Sequence, residues 1–254
     1  MRIADELAAG ATAQLSLWSG AAEAPIAELR HSRRARRVAV RIDAMGRVEL
    51  VVPRGVPESR ARAFLASRAE WIHRHLQRRR QLARPAQPFP PVRIDLPALG
   101  EQWRLFLSGG AGRLKLSERA GGKLEMRGSG TDTVMQRQLV RWLMQRAQLV
   151  LAPQLAELAR LHGFTYSALK LRRQRTRWGS CSARGVITLN LALLFQPPDV
   201  LRYLMCHELA HTRHMNHSAR FWRCVEQCEP RYRSLDAQLN TGWTHVPAWV
   251  LEAE

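Results

Sequence analysis

With 254 residues and a hydrophobic fraction of 46%, the chain is long and apolar enough to bury a core, as one large domain or two small ones, which excludes wholesale disorder. Forty Lys and Arg against 21 Asp and Glu leave a formal charge of +19. That excess favours anionic partners such as nucleic acid, nucleotides or acidic protein segments, although Arg-rich coding alone produces part of it. No run of about 18 apolar residues is present, so no membrane helix is expected. Met1-Arg2-Ile3-Ala4-Asp5-Glu6 places acids where a signal peptide needs positive charge, and a cytoplasmic protein is expected. Cys181, Cys206, Cys224 and Cys228 show no pairing pattern of a small secreted scaffold and are expected to be reduced and mostly buried.

In chain order, residues 1–28 are Ala- and Gly-rich and are expected to form a poorly ordered extension. Arg30, Arg33, Arg34, Arg36 and Arg37 then lead into Val38-Ala39-Val40-Arg41-Ile42, which alternates as a half-buried strand does. A turn at Asp43-Ala44-Met45-Gly46-Arg47 and the run Val48-Glu49-Leu50-Val51-Val52 complete a β-hairpin. Pro57-Glu58-Ser59 opens a helix with Ala61, Phe64, Leu65, Trp71, Ile72 and Leu76 on one side and arginines on the other. Residues 29–84 are thus a hairpin and basic-helix subdomain, and the Pro-rich stretch 84–97 is expected to be a stiff linker.

Residues 98–240 read as a catalytic domain, with 241–254 as a tail. Runs at 103–107, 113–116 and 123–126 suggest a β-meander with turns at Gly109-Gly110 and Gly121-Gly122. A long helix follows from Thr131 to about His162, with Pro153 expected to kink or split it and Gly163 at its end. Leu169–Arg172 and Val186–Asn190 read as strands on either side of the polar loop Arg175-Thr176-Arg177-Trp178-Gly179-Ser180-Cys181-Ser182. Pro197-Pro198-Asp199 opens a helix through Cys206, and a last helix runs through Phe221, Trp222, Val225 and Leu235.

The chemistry concentrates at His207-Glu208-Leu209-Ala210-His211. Residues four apart on a helix share a face, so His207 and His211 can present two imidazoles to one metal ion. Glu208 projects to their flank, where it is placed to act as a base on water rather than as a ligand; this is the pattern of zinc hydrolases. His217 follows at the spacing that one group of zinc proteases uses for its third ligand. His214, Glu226 and Glu229 are the rival third ligands. A packed loop is the plain reading of 175–182; the functional one puts Arg175 and Arg177 beside the metal to hold an anionic group.

Taken in order, Arg175-x-Arg177-Trp178-Gly179-Ser180-Cys181-Ser182, Ile187-x-Leu189-Asn190, His207-Glu208-Leu209-Ala210-His211 and Asn216-His217-Ser218-x-x-Phe221-Trp222 resemble the YgjP-like metallopeptidase family, related at a distance to SprT-type proteases. The resemblance implies an α+β, zincin-like metallopeptidase domain with an N-terminal β-hairpin plus helix subdomain. It also implies Zn²⁺ bound by His207, His211 and His217, Glu208 as general base, and a polypeptide substrate. Two other readings stand beside it. A metal-dependent nucleotide phosphohydrolase would use Arg172, Arg173, Arg175 and Arg177 for polyphosphate, though such enzymes usually hold Mg²⁺ through carboxylates. A basic nucleic-acid-associated protein with a structural zinc would have no need of Glu208.

Overall fold

The computed structural model describes residues 13–16, 26–82 and 88–252, and the chain divides into two units, Met1–Leu82 and Ala83–Glu254. In the first unit β1 (Ala13–Ser16), β2 (Ile26–Ser32), β3 (Ala39–Ile42) and β4 (Val48–Pro53) form a sheet in the order β1-β2-β4-β3. The expected hairpin is β3 and β4. It is closed by Gly46 at φ 82° and by Asp43, whose carboxylate accepts the Met45 and Arg47 N–H groups. The hairpin is only half of the sheet, because β2 pairs with β4 in parallel and β1 pairs with β2 antiparallel. Residues 13–16 and 26–28 are therefore strand, whereas 1–12 and 17–25 of the expected extension lie outside the described residues.

Period-2 alternation sends Val48, Leu50 and Val52 to one face, where with Ala27 and Leu29 they meet Ala61, Leu65 and Ile72. The one basic helix expected after Pro57 is two, α1 (Glu58–Ser67) and α2 (Ala69–Leu82), separated at Arg68. The Ser67 hydroxyl donates to the Phe64 carbonyl at that break, a local bond that competes with the helix ladder. The interruption re-phases the apolar stripe, so Trp71 is 45% exposed and stacks on His75 instead of entering the core.

The second unit opens with β5 (Arg93–Leu96), β6 (Glu101–Arg113), β7 (Lys115–Arg119) and β8 (Lys123–Ser129), in the order β5-β6-β8-β7. Within the expected linker, residues 84–87 lie outside the described residues, but 93–96 are a strand paired with β6. Nor is the rest a meander. Gly109 and Gly110 lie inside β6, which runs on to Arg113, and β6 pairs with β8 in parallel, leaving β7 at the edge. Against this sheet packs α3 (Asp132–Leu161), with Leu139, Leu143, Ala147, Leu151 and Leu155 buried at a spacing of four. Pro153 does not interrupt it. The carbonyl of residue 149, which loses its partner, lies on an exposed turn that water reaches.

Trp142 of α3 meets Trp103 edge-on at 5.4 Å, and Arg146 forms a bidentate pair with Glu101. Burial raises the Glu101 carboxyl, but the Arg146 and Trp103 donors outweigh it and hold the group below the usual carboxylate range. A lowered folded-state pKa gives stability that is present above the unfolded value and lost as pH falls through the folded one. Melting temperatures are therefore expected to favour the wild type over Glu101→Gln at neutral pH, with the gap closing below about pH 4.

A second sheet holds β9 (Ala168–Arg172), β10 (Gly179–Cys181) and β11 (Val186–Asn190) in the order β10-β11-β9, with β9 and β11 parallel and β10 antiparallel at the edge. A buried 3₁₀ segment, Leu191–Phe195, leads to α4 (Pro198–Ala210). The expected last helix is again two, α5 (Ala219–Cys228) and α6 (Tyr232–Thr241). Pro230 holds Glu229 in an extended conformation (φ −142°, ψ 95°), which ends the first of them. Residues 241–252 are no loose tail. After a 3₁₀ turn at Gly242–His245, α7 (Ala248–Glu252) buries Trp249, Val250 and Leu251.

The cysteines also differ from expectation. Cys206 and Cys228 are joined as a disulfide, their Cα atoms 6.0 Å apart where α4 meets the end of α5, while Cys181 and Cys224 are free. No helix among the described residues is long and apolar enough to cross a membrane.

Candidate metal centre

Three imidazoles converge at the end of α4. His207 lies in its last turn and His211 caps it, so both fall on one face. The chain then tightens through Thr212, Arg213 and His214, whose N–H groups donate to the carbonyls of Leu209 and Ala210, and returns His217 to that face just before α5. Ser218 caps α5 by accepting the Phe221 N–H, which fixes where His217 stands. Nε2 of His217 lies 3.2 Å from Nε2 of His207. Two nitrogens bound tetrahedrally to one zinc at about 2.0–2.1 Å are about 3.3 Å apart, so the spacing fits a shared ion. Ligand atoms of all three histidines lie within 4.8 Å of one another, and they are the single such group of His, Cys, Asp and Glu among the described residues.

Two of the imidazoles are oriented from behind. The Nδ1 of His211 lies 3.1 Å from the His214 carbonyl, so an Nδ1–H tautomer donates there and turns Nε2 outward. Thus His214, a rival third ligand by sequence, contributes its backbone. Nδ1 of His207 lies 3.4 Å from the hydroxyl of Tyr203, which in turn donates to Asp236 at 2.7 Å. Burial first, then the Asp236 carboxylate, hold the Tyr203 phenol far above its usual pKa, which keeps it a donor. Phe221 is buried beneath the three rings, 4.5 to 4.9 Å from each centroid, and Trp222 stacks on His217. Burial pushes His207 down to about 3, helped by the other two histidines, and burial also lowers His211. Both are therefore neutral near pH 7, the state a metal requires.

Glu208 is 4% exposed, and its Oε2 is buried with no hydrogen-bond partner. Burial pushes its carboxyl up to about 8. Opposite it stands Gly179 of β10, so close that a Cβ there would meet Oε1 at 2.6 Å and Cγ at 3.0 Å. Gly179→Ala has no backbone strain to relieve and must displace the carboxylate. It is expected to cost about 100-fold in turnover with metal content unchanged, since a shift of about 1 Å at a reacting group has that effect. Metal analysis and steady-state rates on the variant check this.

The rival carboxylates are not among the converging ligand atoms. Glu229 accepts from Arg202 and from the Arg231 N–H at the start of α6. Glu226 lines an open depression of about 570 Å³ with Trp222, Arg223, Tyr232 and Asp236. Arg175 is not free either. Its Nε donates to the Leu251 carbonyl, and Arg173 donates to Val250 and Leu251, so the two hold the end of α7. Arg177 is exposed, and Asn190 grips its carbonyl and that of Gln174, tying the loop to β11. Trp178 stacks on Trp243 at 3.9 Å.

Tyr203, Asp236, Phe221, Trp222 and Gly179 take no functional part in the reading from sequence. Tyr203 was within reach of it, being four residues before His207 on the same helix face. Asp236→Asn keeps the volume but weakens the acceptor behind Tyr203, and is expected to lower metal affinity about 10- to 100-fold, as loss of an outer partner does. Competition with a chromogenic chelator measures it.

An α+β unit with an HExxH helix and a third histidine turned back to it defines the chain as a zincin-like metallopeptidase by class. Residues 36–242 match the family described as YgjP-like, metallopeptidase domain, and the chain belongs to that family. Among solved structures it is similar to one described as the crystal structure of the metallopeptidase zymogen of Pyrococcus abyssi abylysin, at 26% identity over 35% of this chain and 91% of that one, with a TM-score of 0.33. No curated protein matches.

Proposed function

We propose that the chain is a zinc-dependent peptidase in which His207, His211 and His217 hold the ion and Glu208 is the general base. The observation that carries this reading is a buried, partnerless carboxylate oxygen on Glu208, beside three converging imidazoles. Such an orphan is costly unless a bound water or substrate meets it. Zinc, when bound, supplies a Lewis acid that polarises the scissile carbonyl and acidifies the attacking water. Glu208 accepts the proton and passes it to the leaving amine, and a carboxyl raised by burial works in both directions near neutral pH.

A polypeptide suits the surroundings. β10 is an edge strand with no partner on its outer side among the described residues, and its Gly179 touches Glu208. An extended peptide adding to that edge passes the carboxylate. The phosphohydrolase reading loses support, because the Arg173 and Arg175 guanidiniums are committed to α7 carbonyls. A structural zinc is disfavoured too, since no cysteine joins the three histidines.

The test is metal analysis of purified protein, with cleavage of an unstructured polypeptide and of nucleoside triphosphates measured before and after chelation. About one zinc per chain, and peptide cleavage that zinc restores, are expected. Cleavage of nucleoside triphosphates without peptide cleavage defeats the proposal.

A further inference from the structure

The first unit has a charge distribution that its sequence order hides. β2 and β4 run parallel with Ser32 beside Pro53, so the segments that follow them leave the same end of the sheet. β3 lies beyond β4 and runs antiparallel to it, with Ala39 beside Val51. To travel from β2 to β3, residues 33–38 must therefore cross over the end of β4, where Arg54 emerges. Arg33, Arg34, Arg36 and Arg37 are thereby brought over Arg54, and all five are exposed.

None of the five has an acidic partner among the described residues, whereas Arg30, Arg47, Arg62 and Arg74 are paired with Glu49, Asp43, Glu58 and Glu70. The acids are arranged to leave that end bare. Asp43 sits in the turn at the opposite end of the hairpin, Glu28 and Glu49 lie side by side on β2 and β4, four residues before Ser32 and Pro53, and Glu58 is taken by Arg62. The loop is also held in shape, because the Ser32 hydroxyl accepts the N–H groups of Arg34 and Ala35.

We infer that this end of the sheet, Arg33, Arg34, Arg36, Arg37 and Arg54, is a docking surface for the phosphodiester backbone of nucleic acid. Neighbouring strands are about 4.8 Å apart, so the crossing from β2 to β3 spreads its guanidiniums over about 10 Å. A duplex carries one charge per about 1.7 Å of axis, a density that matches such a cluster. Arginine forks bind phosphate oxygens in pairs. A membrane surface fits less well. The apolar residues of the two segments, Val38 and Val56, are packed against the core of the unit and leave no wedge to insert.

The experiment uses the full chain carrying Glu208→Gln, with fluorescent duplex DNA, single-stranded DNA and RNA oligonucleotides as probes. Five phosphate contacts predict an affinity loss of roughly 500-fold between about 50 and about 200 mM salt. Changing Arg33, Arg34, Arg36 and Arg37 together to Gln is expected to reduce that dependence to roughly fourfold and to weaken binding at the lower salt by at least about 100-fold. A control removes four exposed arginines from the second unit, Arg104, Arg127, Arg137 and Arg141, and so makes the same change in net charge. The control is expected to bind as the parent does, and melting curves check that both variants are folded. An equal loss in the control overturns the proposal, because attraction then follows overall charge. So does failure of the parent to bind any oligonucleotide, or tighter binding to phosphatidylserine vesicles or polyglutamate than to nucleic acid. Metal content and peptide cleavage by the Arg→Gln variant in the wild-type background report separately on the peptidase reading.

Discussion

Glu208→Gln is expected to keep its metal and its fold and to lose peptide cleavage by about 10²- to 10⁴-fold, the usual contribution of a positioned general base. The substitution preserves shape where shape matters, with Gly179 pressed against the carboxylate and the side chain 4% exposed. Because Oε2 has no partner in the fold, exchanging a carboxylate oxygen for an amide nitrogen breaks no internal bond. Burial raises the Glu208 carboxyl, so a neutral side chain there does not destabilise the protein. Metal content, melting temperature and turnover measured on one preparation separate the roles. Metal lost along with activity would make Glu208 a ligand and defeat its assignment as the base.

His217→Ala is expected to give the largest fall in metal affinity of any single change outside the His207–His211 pair. It should exceed the 10- to 100-fold that even an outer partner costs. His217 is exposed and precedes the α5 cap, so its removal leaves the core intact, and the apo protein is expected to melt as the wild type does. Two imidazoles on α4 then remain. Glu226→Gln and Glu229→Gln are the controls, and both are expected to keep the metal. Retention by His217→Ala with loss in Glu226→Gln would transfer the third position to Glu226.

Local signals carried much of the reading. The β3–β4 hairpin follows from alternation and an Asp-x-x-Gly turn, and α3 follows from a stripe repeating every four residues from Leu139 to Leu155. His207, Glu208 and His211 are legible for the same reason, since helical period alone decides which side chains share a face. Where local signals were weak or divided, the expectation failed. Gly109 and Gly110 look like a turn, yet they fall in an irregular stretch of β6, which pairs with β8 on both sides of them, at Ser108 with Arg127 and at Arg113 with Ser129. The helix predicted after Pro57 breaks at Arg68, where no proline or glycine marks it. Arg175 looks like a ligand for anions, but α7, seventy-odd residues later, supplies the Leu251 carbonyl that holds it.

By itself the sequence determined many of the element types, the shared face of His207 and His211 and the family, because each is written in residues a few positions apart. The tertiary structure alone decided what meets those elements across the fold. It set Gly179 against Glu208, Asp236 behind Tyr203 and His207, and Cys228 against Cys206. It also brought residues 33–37 over Arg54, through a parallel pairing of β2 with β4 that no local pattern announces. The reason is physical: periodicity fixes which face a side chain occupies, whereas the partner on that face depends on which distant surfaces are buried together.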